Sequence, residues 1–305
     1  MKKDLISILD LSETELNELI AEAGRLKEQR RRNQSHKVLE GKNLAMIFEK
    51  SSTRTRISFE VGMNELGGNA LFLNAEDLQI GRGEEIRDTA RVTSRYVSGV
   101  MIRAYRHETI TDFARYSSVP VINGLSDREH PCQILADILT IKEHRGYTRG
   151  VKVAWVGDGD NVCNSFILAS AITGMEVVVA SPAGYLPPED IVSEARARGG
   201  SVKIVSEPKE AVMDADVVVT DTWVSMGDDA ERGARLKAFR GFSVTAELMD
   251  HAADDAIFMH CLPAHRGEEV TDEVIESSQS VVFDEAENRL HAQKALLVRL
   301  LGGEG

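Results

Sequence analysis

The feature that most constrains the fold of this chain is a set of short, nearly continuous runs of valine, isoleucine and alanine. In the second half they occupy residues 151–156, 177–180, 202–205, 217–220 and 257–260, with helix-like stretches between them. A strand with one face in water alternates apolar and polar residues, whereas parallel strands buried on both faces are apolar throughout. The runs therefore predict an α/β fold built on a doubly wound parallel sheet.

The first half repeats the same alternation of strands and helices. Strands are predicted at residues 43–48, 70–73, 97–102 and 119–122. Ser12 and Glu15 form a capping-box pattern at the start of one helix, and Pro131 opens a longer helix that ends near Gly146. A second parallel sheet is therefore predicted, so the 305 residues make two domains of ordinary size.

The predicted domain boundary is the turn-rich segment 146–150, which precedes the second set of strands. We expect the first domain to span residues 1–145 and the second to span residues 150–284. The last helix, at about residues 285–305, is expected to return to the first domain. Both domains are expected to be doubly wound parallel sheets.

Composition argues against several classes of function. Acidic residues outnumber basic ones 49 to 36, giving a formal net charge of -13, so nucleic acid is not an expected partner. No membrane partner is expected either, because the chain has neither an apolar signal sequence nor a long apolar span. Cys132, Cys163 and Cys261 show no Cys-x-x-Cys spacing, so neither a disulfide framework nor a zinc site is predicted. These features favour a cytoplasmic location.

The run Ser52-Thr53-Arg54-Thr55-Arg56 is the first candidate for a functional site. It lies where a helix begins directly after a buried strand, so hydroxyl groups, guanidinium groups and backbone N–H groups come together. Such donors can bind a phosphate dianion without a metal. The alternative, a solvated helix turn capped by a hydroxyl group, is less favoured at this position.

Two further groups of donors come after strands of the first domain. Arg103 closes an apolar strand, and His130 and Gln133 stand three residues apart around Pro131 and Cys132. Alone, a strand-end arginine is as often part of a structural ion pair, and a histidine before proline is more often a helix cap. Beside a phosphate site, however, Arg103, His130 and Gln133 are groups that could meet an oxyanion.

The second domain has its own strand-end residues. The loop Gly157-Asp158-Gly159-Asp160-Asn161 lacks the third glycine of a dinucleotide fingerprint, so NAD is not a predicted cofactor. Asp221 could receive an ammonium group, although helix capping explains that residue equally well. Cys261, taken alone, is more readily interpreted as a buried, inert thiol.

Four segments taken together resemble the aspartate/ornithine carbamoyltransferases, in order and over nearly the whole chain. They are Ser52-Thr53-Arg54-Thr55-Arg56, His130-Pro131-Cys132-Gln133, the segment from Asp221 to Gly227, and His260-Cys261-Leu262-Pro263. The first two are shared across that superfamily and imply carbamoyl phosphate. The last two favour ornithine as the acceptor over aspartate, acetylornithine or putrescine, which stay as alternatives. A non-catalytic anion-binding module is a further alternative, because it needs only the first segment.

The resemblance implies a role for each matched residue. The residues implied to bind carbamoyl phosphate are Ser52, Thr53, Arg54, Thr55, Gln79, Arg103, His130, Pro131, Cys132, Gln133, Cys261, Leu262 and Arg289. The residues implied to bind ornithine are Asn161, Asp221, Ser225 and Met226. The catalytic residues are expected among these, namely Arg54, Arg103, His130, Gln133, Asp221 and Cys261.

The implied activity is transfer of the carbamoyl group from carbamoyl phosphate to the side-chain amine of L-ornithine, giving L-citrulline and phosphate. Such a reaction serves arginine biosynthesis or, in reverse, arginine catabolism. The resemblance implies no metal and no organic cofactor. It also implies a homotrimer, or a multiple of trimers, in which Gln79 reaches the site of an adjacent subunit.

Overall fold

A computed structural model of the chain describes residues 4–79, 83–224 and 229–302. The chain divides into two compact units, of which unit 1 comprises Met1–Leu139 and Glu287–Gly305, and unit 2 comprises Thr140–Ala286. The division falls within helix α5, which spans Pro131–Arg145, and therefore precedes the turn-rich segment 146–150.

Unit 1 contains a four-stranded parallel sheet with the strand order β2-β1-β3-β4. The strands are β1 (Asn43–Phe48), β2 (Asn69–Asn74), β3 (Gly99–Arg103) and β4 (Val121–Leu125). The helices are α1 (Glu13–Arg31), α2 (Thr53–Glu65), α3 (Ile86–Thr93), α4 (His107–Tyr116) and the first part of α5. Because the chain builds outward from β1 on one side and then on the other, the sheet is doubly wound, as predicted.

Unit 2 contains a five-stranded parallel sheet with the strand order β7-β6-β5-β8-β9. The strands are β5 (Lys152–Val156), β6 (Glu176–Ala180), β7 (Ser201–Val205), β8 (Val217–Thr220) and β9 (Ile257–His260). The helices are α6 (Asn161–Thr173), α7 (Glu189–Ala197), α8 (Pro208–Val212), α9 (Arg232–Ala238), α10 (Ala246–Met249) and α11 (Asp272–Ile275). The strand order reverses at β5, so this sheet is doubly wound as well.

The last helix, α12, spans Val282–Leu301 and begins three residues before its predicted start. From Glu287 onward its residues belong to unit 1, in agreement with the prediction that the last helix returns to the first domain. This return brings a residue from near the end of the chain, Arg289, into the same unit as the segment directly after β1.

Burial differs from one strand to another. β3, β8 and β9 are buried along their whole length, whereas β2 and β7 each expose several residues. The expectation that the run at residues 202–205 is buried on both faces is therefore wrong. β7 lies at one edge of its sheet and exposes Ser201 and Lys203, whereas β9, at the other edge, is buried, so the layers that cover this sheet protect the β7 edge less completely.

Two apolar clusters form the cores of the units. In unit 1 the cluster includes Ile102 and Phe113, and in unit 2 it includes Phe239 and Phe258. Their formation from separate sets of residues agrees with two independent sheets. None of the helices in the described parts of the chain combines the length and the apolar character that a membrane crossing requires.

Candidate active site

The strand register of unit 1 brings two predicted phosphate-binding segments to the same edge of its sheet. Phe48, the last residue of β1, pairs with Arg103, the last residue of β3. β1 leads directly to α2, whose N-cap is Ser52. In open parallel sheets ligands bind beyond the carboxyl ends of the strands, at the point where the strand order reverses. Ser52 and Arg103 flank that point.

The start of α2 is built as a donor site. The Ser52 hydroxyl accepts a hydrogen bond from the Thr55 backbone N–H at 3.2 Å, which fixes the first turn. Ser58 donates to the Arg54 carbonyl at 2.6 Å, one turn further along. Thr53 and Arg54 are the first two helical residues, whose N–H groups have no partner within the helix. The turn therefore offers backbone donors to an anion.

The two guanidinium groups of this run have different surroundings. Arg56 Nε lies 3.2 Å from Glu60 Oε2, and its guanidinium lies 3.9 Å from the centre of the Phe72 ring. Arg54 is half-buried, and within the described ranges its side chain makes neither a hydrogen bond nor an ion pair. Arg54 is therefore the arginine of this run that is available to a ligand.

Arg289 connects three helices of unit 1. From α12, its Nη1 donates to Gln133 Oε1 on α5 at 2.6 Å, and its Nη2 donates to Thr55 Oγ1 on α2 at 3.2 Å. All three side chains are buried. Three residues predicted from segments far apart in sequence thus make direct contact.

His130 lies close enough to Arg289 for the charge of the guanidinium group to affect its pKa. Burial lowers the pKa of His130 well below its usual value, and the positive charges of Arg289, Arg103 and Arg54 lower this pKa further. The imidazole is therefore neutral at physiological pH and can donate one hydrogen bond without adding charge. What we call the cationic site comprises Arg54, Arg103, His130, Gln133 and Arg289, together with Ser52, Thr53 and Thr55.

Three further predicted ligands belong to unit 1. Pro131 is the first residue of α5, where its missing N–H costs nothing. Cys132 is buried and donates its thiol hydrogen to the Asn123 carbonyl at 3.3 Å, so only its backbone remains for a ligand. Gln79 is exposed after β2, and no described contact joins its side chain to the cationic site.

The register of unit 2 places Asp221 and Cys261 after paired residues. Thr220 of β8 pairs with His260 of β9, so the residues directly after both strands leave the sheet side by side. The Cys261 thiol donates a hydrogen bond to the Asp221 carboxylate. The two residues predicted to orient ornithine are therefore in contact.

The electrostatics of this region are acidic. Burial raises the pKa of Asp221, whose Oδ1 accepts from the Thr222 N–H at 2.7 Å. Burial and the charges of Asp221 and Asp158 raise the pKa of Asp160, the N-cap of α6. When one carboxyl group raises the pKa of its neighbour, a bound cation stabilises the ionised form of both. Asn161 follows Asp160 directly, and we call Asp160, Asn161, Asp221 and Cys261 the acidic site.

His260 fixes the backbone directly after β9. Its Nδ1 accepts from the Leu262 N–H at 2.9 Å, and its Nε2 lies 3.1 Å from Glu269 Oε1. Because Nδ1 is an acceptor, the proton resides on Nε2 and is donated to the buried carboxylate. Leu262 adopts a left-handed conformation with φ 58, which these hydrogen bonds hold in place.

Two groups of side chains have the composition of a metal site. They are Asp221, His260 and Cys261, and His265, Glu268 and Glu269. In the first group the ring nitrogens of His260 and the Cys261 thiol already bond to protein groups. In the second, Glu268 pairs with Arg232, Glu269 accepts from His260, and His265 Nδ1 lies 2.9 Å from Thr222 Oγ1. These contacts account for the side chains, so we assign no metal to them.

Packing also explains the glycines after β5. Gly157 has a φ of 147, which residues with a side chain rarely adopt. A side chain at Gly159 would collide with the backbone of Leu186 and Pro187. Both glycines are therefore required by the backbone, and neither calls for a dinucleotide.

Ser225 and Met226, predicted to bind ornithine, lie outside the described residues. Sequence reasoning also missed several residues around the two sites. Asp137 follows Gln133 by four residues on α5, and Gln293 follows Arg289 by four residues on α12, so helical spacing was a signal for both. Asp160, directly before Asn161, was not predicted as a site residue. Nothing in the sequence pointed to Glu269 as the partner of His260.

Both parts of the chain match profiles of one protein family. The profile described as the carbamoyl-P binding domain of aspartate/ornithine carbamoyltransferase matches residues 3–143, and that of the Asp/Orn binding domain matches residues 149–300. The chain belongs to the aspartate/ornithine carbamoyltransferase family. The second profile runs into α12, although the structure groups that helix from Glu287 with unit 1.

Individual relatives of this family are similar along their whole length. An ornithine carbamoyltransferase from Methanoculleus marisnigri is 63% identical over 303 residues, covering 99% of this chain and 98% of that protein. One from Archaeoglobus fulgidus is 58% identical over 302 residues, with 99% and 98% covered. The solved structure of ornithine carbamoyltransferase from Pyrococcus furiosus has a TM-score of 0.95 at 54% identity, covering 99% of this chain and 98% of that one.

Proposed function

We propose that this chain transfers the carbamoyl group of carbamoyl phosphate to the side-chain amine of L-ornithine, giving L-citrulline and phosphate. The observation that carries the proposal is the similarity to ornithine carbamoyltransferases over 99% of the chain, at 63% identity in one relative. The two sites agree with it, because one collects positive charge and donors for a phosphorylated substrate and the other collects carboxyl groups for an amine.

The cationic site is the proposed binding site for carbamoyl phosphate. Its phosphate would be held by the first turn of α2, from Ser52 to Thr55, with Arg54 supplying a charge that no described residue neutralises. Arg289 is held against Thr55 and Gln133 and would stand beside the same phosphate. Pro131 and the backbone of Cys132 would line this site, because they begin the helix that carries Gln133.

The carbonyl oxygen of carbamoyl phosphate is the atom on which negative charge develops. Arg103 and neutral His130 are the proposed donors to it, since both are buried and the positive charge of Arg103 acts on His130. Gln133 is the proposed acceptor for the carbamoyl amide. Cys261 and Leu262 stay predicted ligands of the same amide group, through their backbone.

Ornithine is the proposed ligand of the acidic site. Asp221 is buried, and burial raises its pKa, so a nearby ammonium or amine group would stabilise its ionised form. Asn161, at the start of α6, is the proposed contact for the amino-acid end of ornithine. Ser225 and Met226 stay predictions of ornithine contacts outside the described residues.

The proposed reaction needs no group beyond the substrates and these side chains. The unprotonated amine attacks the carbonyl carbon, a carbon–nitrogen bond forms, and the carbonyl oxygen becomes an oxyanion held by Arg103 and His130. When the oxyanion collapses, the carbon–oxygen bond to phosphate breaks and its electron pair leaves with phosphate. The surplus proton on nitrogen passes to the departing phosphate. Asp221 and Cys261 would orient the amine.

We also propose a homotrimer, or a multiple of trimers, in which Gln79 contributes to the site of an adjacent subunit. Leu71 and Phe72 of the edge strand β2, and Ile57 on α2, are exposed at 48%, 38% and 55%. An exposed apolar edge strand favours association with another chain, and a further copy of this protein would cover it. We propose a cytoplasmic location, which the free thiols of the three cysteines support.

The function is tested by supplying acceptors one at a time. The protein is incubated with carbamoyl phosphate and ornithine, and in parallel with aspartate, acetylornithine or putrescine, and carbamoylated product and phosphate are measured. We expect citrulline and phosphate in equal amounts with ornithine, and at least about a hundredfold lower kcat/KM with the other acceptors. Equal or greater turnover of another acceptor would correct the acceptor, and no product with any acceptor would refute the enzyme.

A further inference from the structure

Gln133 has two buried partners of opposite hydrogen-bonding character. Its Nε2 donates to Asp137 Oδ1 at 2.8 Å, and its Oε1 accepts from Arg289 Nη1 at 2.6 Å. All three side chains are at most 3% exposed. A carboxylate can only accept and a guanidinium can only donate. These two contacts therefore permit one of the two orientations of the Gln133 amide.

The orientation of this amide decides which ligand group it can meet. A carbonyl oxygen has two lone pairs, so Gln133 Oε1 can accept from a ligand as well as from Arg289. The –NH2 of a carbamoyl group is such a donor, whereas an amide turned by a half-rotation would present its own N–H groups to it. Donors that face each other in a buried site lose their hydrogen bonds to water without replacement.

We propose that Asp137 is a positioning residue that selects carbamoyl phosphate over acyl phosphates that lack the –NH2 group. It acts by holding the Gln133 amide with its oxygen toward Arg289. The inference rests on the proposed function, because it requires carbamoyl phosphate at the cationic site. Asp137 reaches the substrate through Gln133.

The geometry of the two helices supports this role. Asp137 follows Gln133 by four residues on α5, so both side chains lie on one face of that helix. Arg289 is held from α12 in a similar way, by a residue four positions further on. When the Gln293 amide donates to Ser58 Oγ, its oxygen accepts from Arg289 Nη2 and Nε at 2.9 and 3.1 Å. Arg289 is therefore held independently of Gln133. Asp137 holds the nitrogen end of the Gln133 amide, because it accepts the hydrogen bond from Nε2.

The first test exchanges the donor and the acceptor between positions 133 and 137. In Gln133→Glu, a carboxylate oxygen faces the Asp137 carboxylate, so two acceptors meet and activity falls. Adding Asp137→Asn supplies a donor to that oxygen and leaves the other oxygen facing Arg289. We expect kcat/KM for carbamoyl phosphate to be at least about tenfold higher in the double variant than in Gln133→Glu, while Asp137→Asn does not raise that of the wild type.

The second test measures discrimination between ligands. Acetyl phosphate has a methyl group where carbamoyl phosphate has its –NH2 group, and inorganic phosphate has neither group. In Asp137→Ala we expect the preference for carbamoyl phosphate over acetyl phosphate to fall by about tenfold, while inhibition by phosphate changes less than about threefold. Asp137→Asn keeps an acceptor oxygen and is expected to retain most of the preference. Asp10→Asn is the matched control, because Asp10 also accepts from N–H groups in unit 1, at Ile6 and Ser7.

The outcomes separate this inference from the proposed function. If wild-type protein transfers no carbamoyl group, the proposed function fails. If wild-type protein is active but kcat/KM is no higher in the double variant than in Gln133→Glu, Asp137 does not determine the orientation of the Gln133 amide. Equal losses for all three ligands in Asp137→Ala would likewise overturn the inference, because they indicate general damage. Should Asp137→Ala fail to fold, the comparison of Gln133→Glu with the double variant decides alone.

Discussion

Both units are doubly wound parallel sheets, but they differ in the charge of the side chains at the carboxyl ends of their strands. In unit 1, Arg54, Arg103 and Arg289 surround a histidine that burial and these charges keep neutral. In unit 2, burial raises the pKa of Asp221, and the charge of Asp221 helps to raise that of Asp160. A doubly wound sheet therefore fixes where a ligand binds, whereas the strand-end side chains decide which charge the ligand carries.

The two sites also differ in how their charges are held. Arg289 is held by hydrogen bonds to two uncharged side chains, those of Gln133 and Thr55. In the acidic site, Asp221 is close to another carboxyl group, so the two repel each other when ionised and a cation relieves that repulsion. Phosphate binding should thus depend on single cations, and amine binding on a single carboxylate.

The largest expected effect is the loss of a cation from unit 1. Arg54→Ala is expected to lower kcat by about a hundred- to a thousandfold, since one charged donor to a transition state contributes about 2.7–4 kcal/mol. The matched control is Arg56→Ala, which removes a neighbouring guanidinium that interacts with Glu60 and Phe72. We expect the control to change kcat by less than about threefold.

Steady-state kinetics of both variants with carbamoyl phosphate and ornithine measure this contrast. Equal losses in the two variants would contradict the separation of Arg54 from Arg56. Near-normal turnover of Arg54→Ala would remove Arg54 from the cationic site altogether.

The next effect is the loss of the carboxylate from unit 2. Asp221→Asn keeps the shape of the side chain and an acceptor for Thr222, but removes the charge that would bind the amine. We expect kcat/KM for ornithine to fall by about a hundredfold, or about 2.7 kcal/mol, while competitive inhibition by phosphate stays within about threefold. Asp250→Asn, at an exposed position of the same unit, is the control. Weakened phosphate inhibition would show that the two sites are not specialised in this way.

A third prediction concerns the buried carboxyl group beside His130. Burial raises the pKa of Glu129 to about 7, although the Ile8 N–H and the Ser7 hydroxyl donate to it at 3.1 and 3.0 Å. The folded protein therefore keeps this proton to higher pH than the unfolded chain. Its stabilising effect is complete below the unfolded pKa of 4.5 and is lost as pH rises through about 7.

Glu129→Gln removes this titration and keeps an acceptor. Relative to this variant, wild-type protein is expected to lose about 2 kcal/mol of unfolding free energy between pH 5 and pH 7. Urea unfolding of both proteins at the two pH values measures the difference. A constant difference between them would show that Glu129 titrates at its ordinary pKa.

The last prediction concerns the pH dependence of the reaction itself. Only the unprotonated side-chain amine of ornithine is a nucleophile, and such an amine has a pKa of about 10. We expect kcat/KM for ornithine to rise by about tenfold per pH unit between about pH 7 and pH 9. His130 should not interrupt this rise, because its pKa is lowered by burial and by the nearby arginines. A flat profile measured under steady-state conditions would argue against attack by the free amine.

Sequence patterns predicted most of the fold because they depend on local requirements. The strands β8 and β9 match their predicted bounds, since strands covered on both faces need apolar residues throughout. The N-cap of α1 was found because a serine and a glutamate three residues later satisfy the same free N–H groups. β7 differed because composition does not reveal which edge of the sheet stays open to solvent.

The candidate site residues were also accessible from sequence, but their contacts were not. Arg54 and Arg56 are the same residue type two positions apart, and only the partners of Arg56 distinguish them. Cys132 lies in a predicted binding segment, yet its thiol bonds to a carbonyl of β4. Which side of a residue faces the ligand depends on the packing of neighbouring elements.

By itself, the sequence determined two parallel sheets, the segments at their carboxyl ends and the donors and acceptors that those segments carry. Tertiary structure decided which of these residues meet. Arg289 reaches Gln133 and Thr55 only because α12 returns to unit 1. Hydrogen bonds are directional and act over a few ångströms, so contacts between distant segments arise from the packing of helices and strands and from no local pattern.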